Sequence, residues 1–162
     1  MDVQNFTTHT NQPYDNEVRK NLIKYMDSIS DLLLSVDIIL IEKQYYNPHS
    51  RGKSNIDAMI MGEFVYAYFM IKIQQNFFFK IPVLMYYPSK YKTEMWDAPK
   101  KMTKPQRKMW SGKEALKILE VRNDNIGIKE LCTKGFKKDD MGDCLLMWLT
   151  FLCHYYLVRG KN

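Results

Sequence analysis

Several features are scarce in this chain of 162 residues, and each absence narrows what the protein can be. The three cysteines, Cys132, Cys144 and Cys153, have no metal-ligand spacing, and the last two fall in an apolar segment where buried thiols are ordinary. The first six residues include no basic stretch and no apolar stretch, so we expect no signal peptide. No uninterrupted apolar run is long enough to span a bilayer. We therefore expect a reduced, intracellular setting and no membrane partner.

Length and composition favour one folded domain. The chain is of single-domain length, 26% of its residues are charged and its sequence carries no internal repeat or low-complexity tract. The mean hydropathy is −0.41, as expected of a soluble globular protein. We predict an irregular segment over residues 1–14 and a domain over 15–158.

The net charge of +6 is concentrated in one segment. Residues 80–117 hold ten basic and three acidic side chains, which leaves the rest of the chain at −1. Lysine and arginine neutralise phosphates, and aromatic rings can stack on bases. Concentrated positive charge therefore favours a nucleic-acid partner, with a solvated lysine-rich loop as the alternative. The aromatic residues interleaved with these charges are Tyr86, Tyr87, Tyr91, Trp96 and Trp110.

Hydrophobic periodicity predicts alternating helices and strands, which indicates an α/β fold. A β-branched run at 37–42 is typical of a buried parallel strand, and we expect it to pair in parallel with a second strand that begins near Val83. A helix at 56–74 would supply the right-handed crossover between them. The basic segment is predicted to be unstructured up to residue 112. A first helix is predicted to be capped by Asp15 or Asn16 and to end at Ser35 and Val36. Three further helices are predicted at 112–120, 125–132 and 138–158.

Two acidic groups suggest a site for a divalent cation. Glu42 would lie at the carboxyl end of the first strand, and Asp140 and Asp143 in the first turn of the last helix. Mg²⁺ takes carboxylate oxygens, and two such ions can activate water and stabilise the leaving group in phosphodiester hydrolysis. The structural alternative is that Glu42 is simply the first exposed residue after a strand. Asp139, Asp140 and Asp143 would then be first-turn acids favoured by the helix dipole.

These motifs resemble those of the RuvC-like Holliday junction resolvases, in particular the branch of poxviruses and other large DNA viruses. An Ile-Glu-x-Gln pattern on a strand is matched by Ile41, Glu42 and Gln44. An Asp-x-x-Asp pattern after a basic pair is matched by Lys137, Lys138, Asp140 and Asp143.

The resemblance implies an RNase H-like fold and a homodimeric endonuclease that uses Mg²⁺ or Mn²⁺ to cut four-way DNA junctions during viral recombination. Glu42, Asp140 and Asp143 would be both metal ligands and catalytic residues. The setting would be the host cytoplasm or a viral replication site.

The resemblance has one departure, at the start of the chain. Family members begin with a β-hairpin that carries a further catalytic Asp, and no such strands precede the first helix here. We therefore expect an N-terminally incomplete sheet and weak cleavage by this chain alone. A separate chain or segment would then supply the hairpin.

Three functions remain open at this point. The first is the junction nuclease, the second is a non-catalytic DNA-binding remnant or subunit of one, and the third is an unrelated α/β interaction protein whose acids are helix caps. For the first two, branched DNA is the expected partner. The predicted phosphate contacts are Arg51, Lys53, Lys100, Lys101, Lys104, Arg107 and Lys108.

Overall fold

Helices dominate the computed structural model, which describes residues 16–45, 56–75, 81–133 and 138–159. They hold 73% of the described residues. The described residues divide into two compact units, the first ending at Pro88 and the second beginning at Ser89. The elements are α1 (Asn16–Ser28), α2 (Ser30–Leu34), β1 (Ile38–Lys43), α3 (Ile56–Gln75), β2 (Val83–Pro88), α4 (Lys90–Met95), α5 (Lys104–Val121), α6 (Asn125–Cys132) and α7 (Lys138–Arg159).

The first unit is built on a parallel pair of strands. β1 and β2 are paired from Ile38 opposite Val83 to Lys43 opposite Pro88. The helix α3 connects the two strands and packs its Phe69 against Ile39 in the core. Burial of aliphatic and aromatic side chains between a helix and a sheet is the main favourable term here. The parallel pairing predicted from the sequence is confirmed.

A polar cluster links α1 to α3 within this unit. The carboxylate of Asp27 accepts a hydrogen bond of 2.7 Å from the Tyr68 hydroxyl and lies 2.7 Å from the Lys72 ammonium. Lys72, followed by Tyr68, lowers the pKa of Asp27. Burial, followed by the Asp27 carboxylate, raises the pKa of Tyr68. The cluster fixes the two helices by charge and hydrogen bonding, in addition to apolar contact.

Helices are the only regular secondary structure among the described residues of the second unit. Its core is formed by Ala115 and Leu119 of α5 and Leu131 of α6, with Met141 and Leu145 of α7 packed against them. The turn between α5 and α6 is closed by Asp124, whose side chain accepts a 2.8 Å hydrogen bond from the Gly127 N–H. This N-cap satisfies a backbone donor that the first turn of α6 leaves free.

The predicted RNase H-like α/β fold is wrong for this structure. The sheet of the described residues has two strands, and most of the chain is helical. The stretch at 90–111 predicted to be unstructured instead holds α4 and the first two turns of α5. Cys144, predicted to be buried, is exposed, and Cys153 is half-buried. Within the described residues, no helix combines the length and apolar character that crossing a bilayer requires.

Candidate nucleic-acid interface

The start of α5 carries most of the predicted DNA-binding residues on an exposed surface. Lys100, Lys101, Lys104 and Arg107 are all exposed, and none has an ion pair with another described residue. The sequence from Ala98 to Lys113 contains no acidic residue. We call these four residues the basic face.

A capping box fixes the position of the basic face. The Thr103 hydroxyl accepts a hydrogen bond of 3.4 Å from the Gln106 N–H, and the Gln106 side chain accepts one of 2.8 Å from the Thr103 N–H. Pro105, in the first turn, suits a helix start because it has no N–H to satisfy. The positive end of the helix dipole therefore lies among the lysines and adds to their potential.

Lys108, also predicted to contact DNA, is instead partly neutralised within the protein. Its ammonium forms a hydrogen-bonded ion pair with Asp139 and lies 3.9 Å from an Asp140 oxygen. The hydrogen bond to Asp139 is the main reason that the pKa of Lys108 is raised. This lysine thus links the second turn of α5 to the first turn of α7.

Asp143, a predicted metal ligand, forms an ion pair with a buried lysine. Its carboxylate lies 2.7 Å from the ammonium of Lys92. Lys92, on α4, is only 4% exposed. A charge buried to this extent needs a partner, and Asp143 provides it. Sequence reasoning missed Lys92, although the apolar residues Tyr91, Met95 and Trp96 around it have helical spacing.

The glycine inside the acidic motif has a packing role. A Cβ atom added at Gly142 would lie 3.0 Å from the Gly112 Cα and 3.0 Å from the Ser111 carbonyl oxygen. Contacts of this length are tighter than most Cβ contacts, so a side chain at this position would push α5 and α7 apart by a few tenths of an ångström, and Gly142 allows their close approach. Further along α7, the Thr150 hydroxyl accepts a 2.9 Å hydrogen bond from the Trp96 indole N–H.

The aromatic residues predicted to interleave with the charges are largely occupied by contacts within their own units. Tyr87 is buried, and Tyr86 stacks on Tyr66 with ring centroids 4.8 Å apart. Burial, followed by the nearby Glu63 carboxylate, raises the pKa of Tyr86 to about 12. Tyr91 meets His154 edge to face at 5.2 Å. These rings stabilise the fold, and the basic face has no aromatic member.

Glu42 lies where the sequence predicts it, at the carboxyl end of β1 opposite Tyr87. Its side chain is half-buried. Glu42 belongs to the first unit and Asp140 and Asp143 to the second, so their convergence on a metal stays a prediction. In the described ranges, no three residues of the His, Cys, Asp and Glu types are grouped as metal ligands. Arg51 and Lys53 lie outside the described residues.

Comparison with known proteins gives no match. No protein-family model, no curated protein and no solved structure matches the chain. The two features of the second unit that bear on its chemistry are the basic face and the acidic residues at the start of α7.

Proposed function

We propose that this protein binds nucleic acid through the basic face at the start of α5. The observation that carries the proposal is the set of four exposed cations without a carboxylate partner among the described residues. When a cluster of cations neutralises several phosphates, the counterions condensed on them are released, and this release favours binding. An isolated surface lysine lacks this advantage.

The test is the salt dependence of binding, measured by fluorescence anisotropy with a labelled four-way junction and a linear duplex. Replacing Lys100, Lys101 and Lys104 together by Gln should reduce the slope of log affinity against log salt by roughly 3, since each phosphate contact contributes about 0.9. The matched control removes the same charge from α1, through Arg19, Lys20 and Lys24 changed to Gln. That control should leave the slope nearly unchanged. Equal losses from both triple variants would contradict the proposal, because net charge alone would then explain binding.

The second candidate function is junction cleavage with Mg²⁺. The observation that favours it is the accessibility of the Asp140 carboxylate. The Asp140 side chain is 51% exposed and its ion-pair contact with Lys108 is as long as 3.9 Å, which leaves carboxylate oxygens accessible to a hard ion. Glu42 and Asp143 would complete the proposed ligand set, but Asp143 must then share its charge between the metal and Lys92. Adding Mg²⁺ to the binding reactions and resolving the strands on a denaturing gel tests this function in the same experiment. Cleavage that Asp140→Asn abolishes without loss of binding would support the nuclease, and intact strands would leave binding as the function.

A further inference from the structure

A cleft in the second unit lies beside the basic face. It has a volume of about 540 Å³, is open to solvent and lies between α5, the end of α6 and the start of α7. Its lining is mostly apolar and includes Met109, Leu116 and Leu131. The volume falls within the range of roughly 300–1,000 Å³ that is typical of small-molecule sites.

The charges on the lining favour an anionic occupant. Lys108, Lys113 and Asp139 line the cleft together with the apolar residues. Asp139 is neutralised by Lys108, while Lys113 is exposed and has no ion pair with another described residue. Lys104 of the basic face lies four residues before Lys108 on α5, and residues with this spacing are neighbours on one side of a helix. An occupant that fits has an apolar ring or chain joined to a negative group.

We propose that the cleft accepts an unpaired nucleobase of a strand whose phosphates lie on the basic face, an inference that rests on the proposed function. A nucleotide joins a flat aromatic ring, whose faces pack against apolar side chains, to an anionic phosphate, which matches the two kinds of residue around the cleft. The Met109 side chain is 59% exposed and can lie against the ring, since thioether sulfur makes favourable contacts with aromatic rings. Bases inside a duplex are stacked and paired, so they do not enter. The protein therefore selects single-stranded or locally unpaired regions.

The experiment compares three probes of equal length: a single-stranded oligonucleotide, the corresponding duplex, and an oligomer in which every residue is abasic. Met109→Ala should weaken binding of the single strand about 5- to 10-fold, at the low end of what one base contact contributes. Binding of the duplex and the abasic oligomer should stay within twofold. Val121→Ala is the matched control, because Val121 is 83% exposed on the same helix and does not line the cleft. Methyl NMR of the Met109 side chain should show a shift with the single strand alone.

Each outcome is decisive for the inference. Equal binding of the single strand and the abasic oligomer, or an equal effect of Met109→Ala on all three probes, would overturn it while leaving phosphate binding intact. A polyglutamate peptide that shifts the Met109 methyl signal as the single strand does would assign the cleft to an acidic protein partner instead. Loss of the proposed function has a different signature, since then none of the three probes binds.

Discussion

Two groups of cations share the segment from Lys92 to Lys117, and they differ in whether a carboxylate lies beside them. In the first group each lysine has a carboxylate partner, and in the second none does among the residues that the structure describes. The first group is Lys92, Lys108 and Lys117. The second is Lys100, Lys101, Lys104, Arg107 and Lys113.

The difference shows that the net charge of a sequence segment does not tell how many of its cations are available to bind phosphate. Lys92 is buried and holds α4 to α7 through Asp143, so it contributes to the fold. Lys104 and Arg107 are exposed and form no ion pair with another described residue, so their side chains are accessible to a ligand. Lysines of one sequence segment thus have two kinds of surroundings, and the positions of the partner carboxylates distinguish them.

Breaking the ion pair between buried Lys92 and Asp143 should have the largest effect on stability. Asp143→Asn leaves the Lys92 ammonium buried without a counter-charge, and we expect a loss of about 3 kcal/mol in the free energy of unfolding. Urea denaturation followed by circular dichroism measures it. Asp140→Asn is the matched control and should cost less than about 0.5 kcal/mol, because Asp140 is exposed and makes no close ion pair.

A double variant sharpens this test. Adding Lys92→Met to Asp143→Asn should recover much of the lost stability, since replacing a buried ion pair by apolar groups is often neutral. Equal stability of Asp143→Asn and Asp140→Asn would contradict the structural role of Asp143. It would return Asp143 to the set of residues available for a metal ion.

Local patterns predicted much of the first unit. The β-branched run before Glu42 and the apolar run after Pro82 identified both strands, and the intervening helix indicated that they are parallel. The bounds of α6 were also correct, and those of α7 within one residue. These elements were predictable because each is encoded by residues close together in sequence.

The second unit was less predictable because its main contacts are long-range. Helical periodicity in α5 is hidden by its lysines, and the local signal that marks its start is the capping box of Thr103 and Gln106. The pairing of Lys92 with Asp143 and the approach of Gly112 to Gly142 join residues far apart in the chain. No local pattern states which acid faces which lysine, so the roles of the α7 acids could not be derived from the sequence.

The ion pair between Lys108 and Asp139 should have an intermediate effect on the free energy of unfolding, and this effect should depend on pH. The pKa of Lys108 is raised in the folded protein by the Asp139 hydrogen bond, so the ion pair stabilises the fold fully below the unfolded value of about 10.4. That contribution, about 1 kcal/mol or less for an exposed pair, is lost as the pH rises through the raised value. NMR titration of the Lys108 side chain measures the shift, and Asp139→Asn should return it towards the ordinary value. An unchanged Lys108 titration in Asp139→Asn would show that the pair does not form in solution.

The smallest effect should come from the surface pair between Lys117 and Glu114. The ammonium lies 2.9 Å from the carboxylate, three residues apart on α5, but both groups contact solvent. Lys117→Gln should therefore change the free energy of unfolding by about 0.3 kcal/mol, which is close to what Lys113→Gln causes. Lys113 lines the cleft and has no ion pair with another described residue, whereas Glu114 holds Lys117. We therefore expect Lys113→Gln to reduce nucleic-acid affinity more than Lys117→Gln does, as anisotropy would measure. Equal losses would mean that an exposed ion pair leaves its lysine available to the ligand, and the division between the two groups would then depend on burial rather than on pairing.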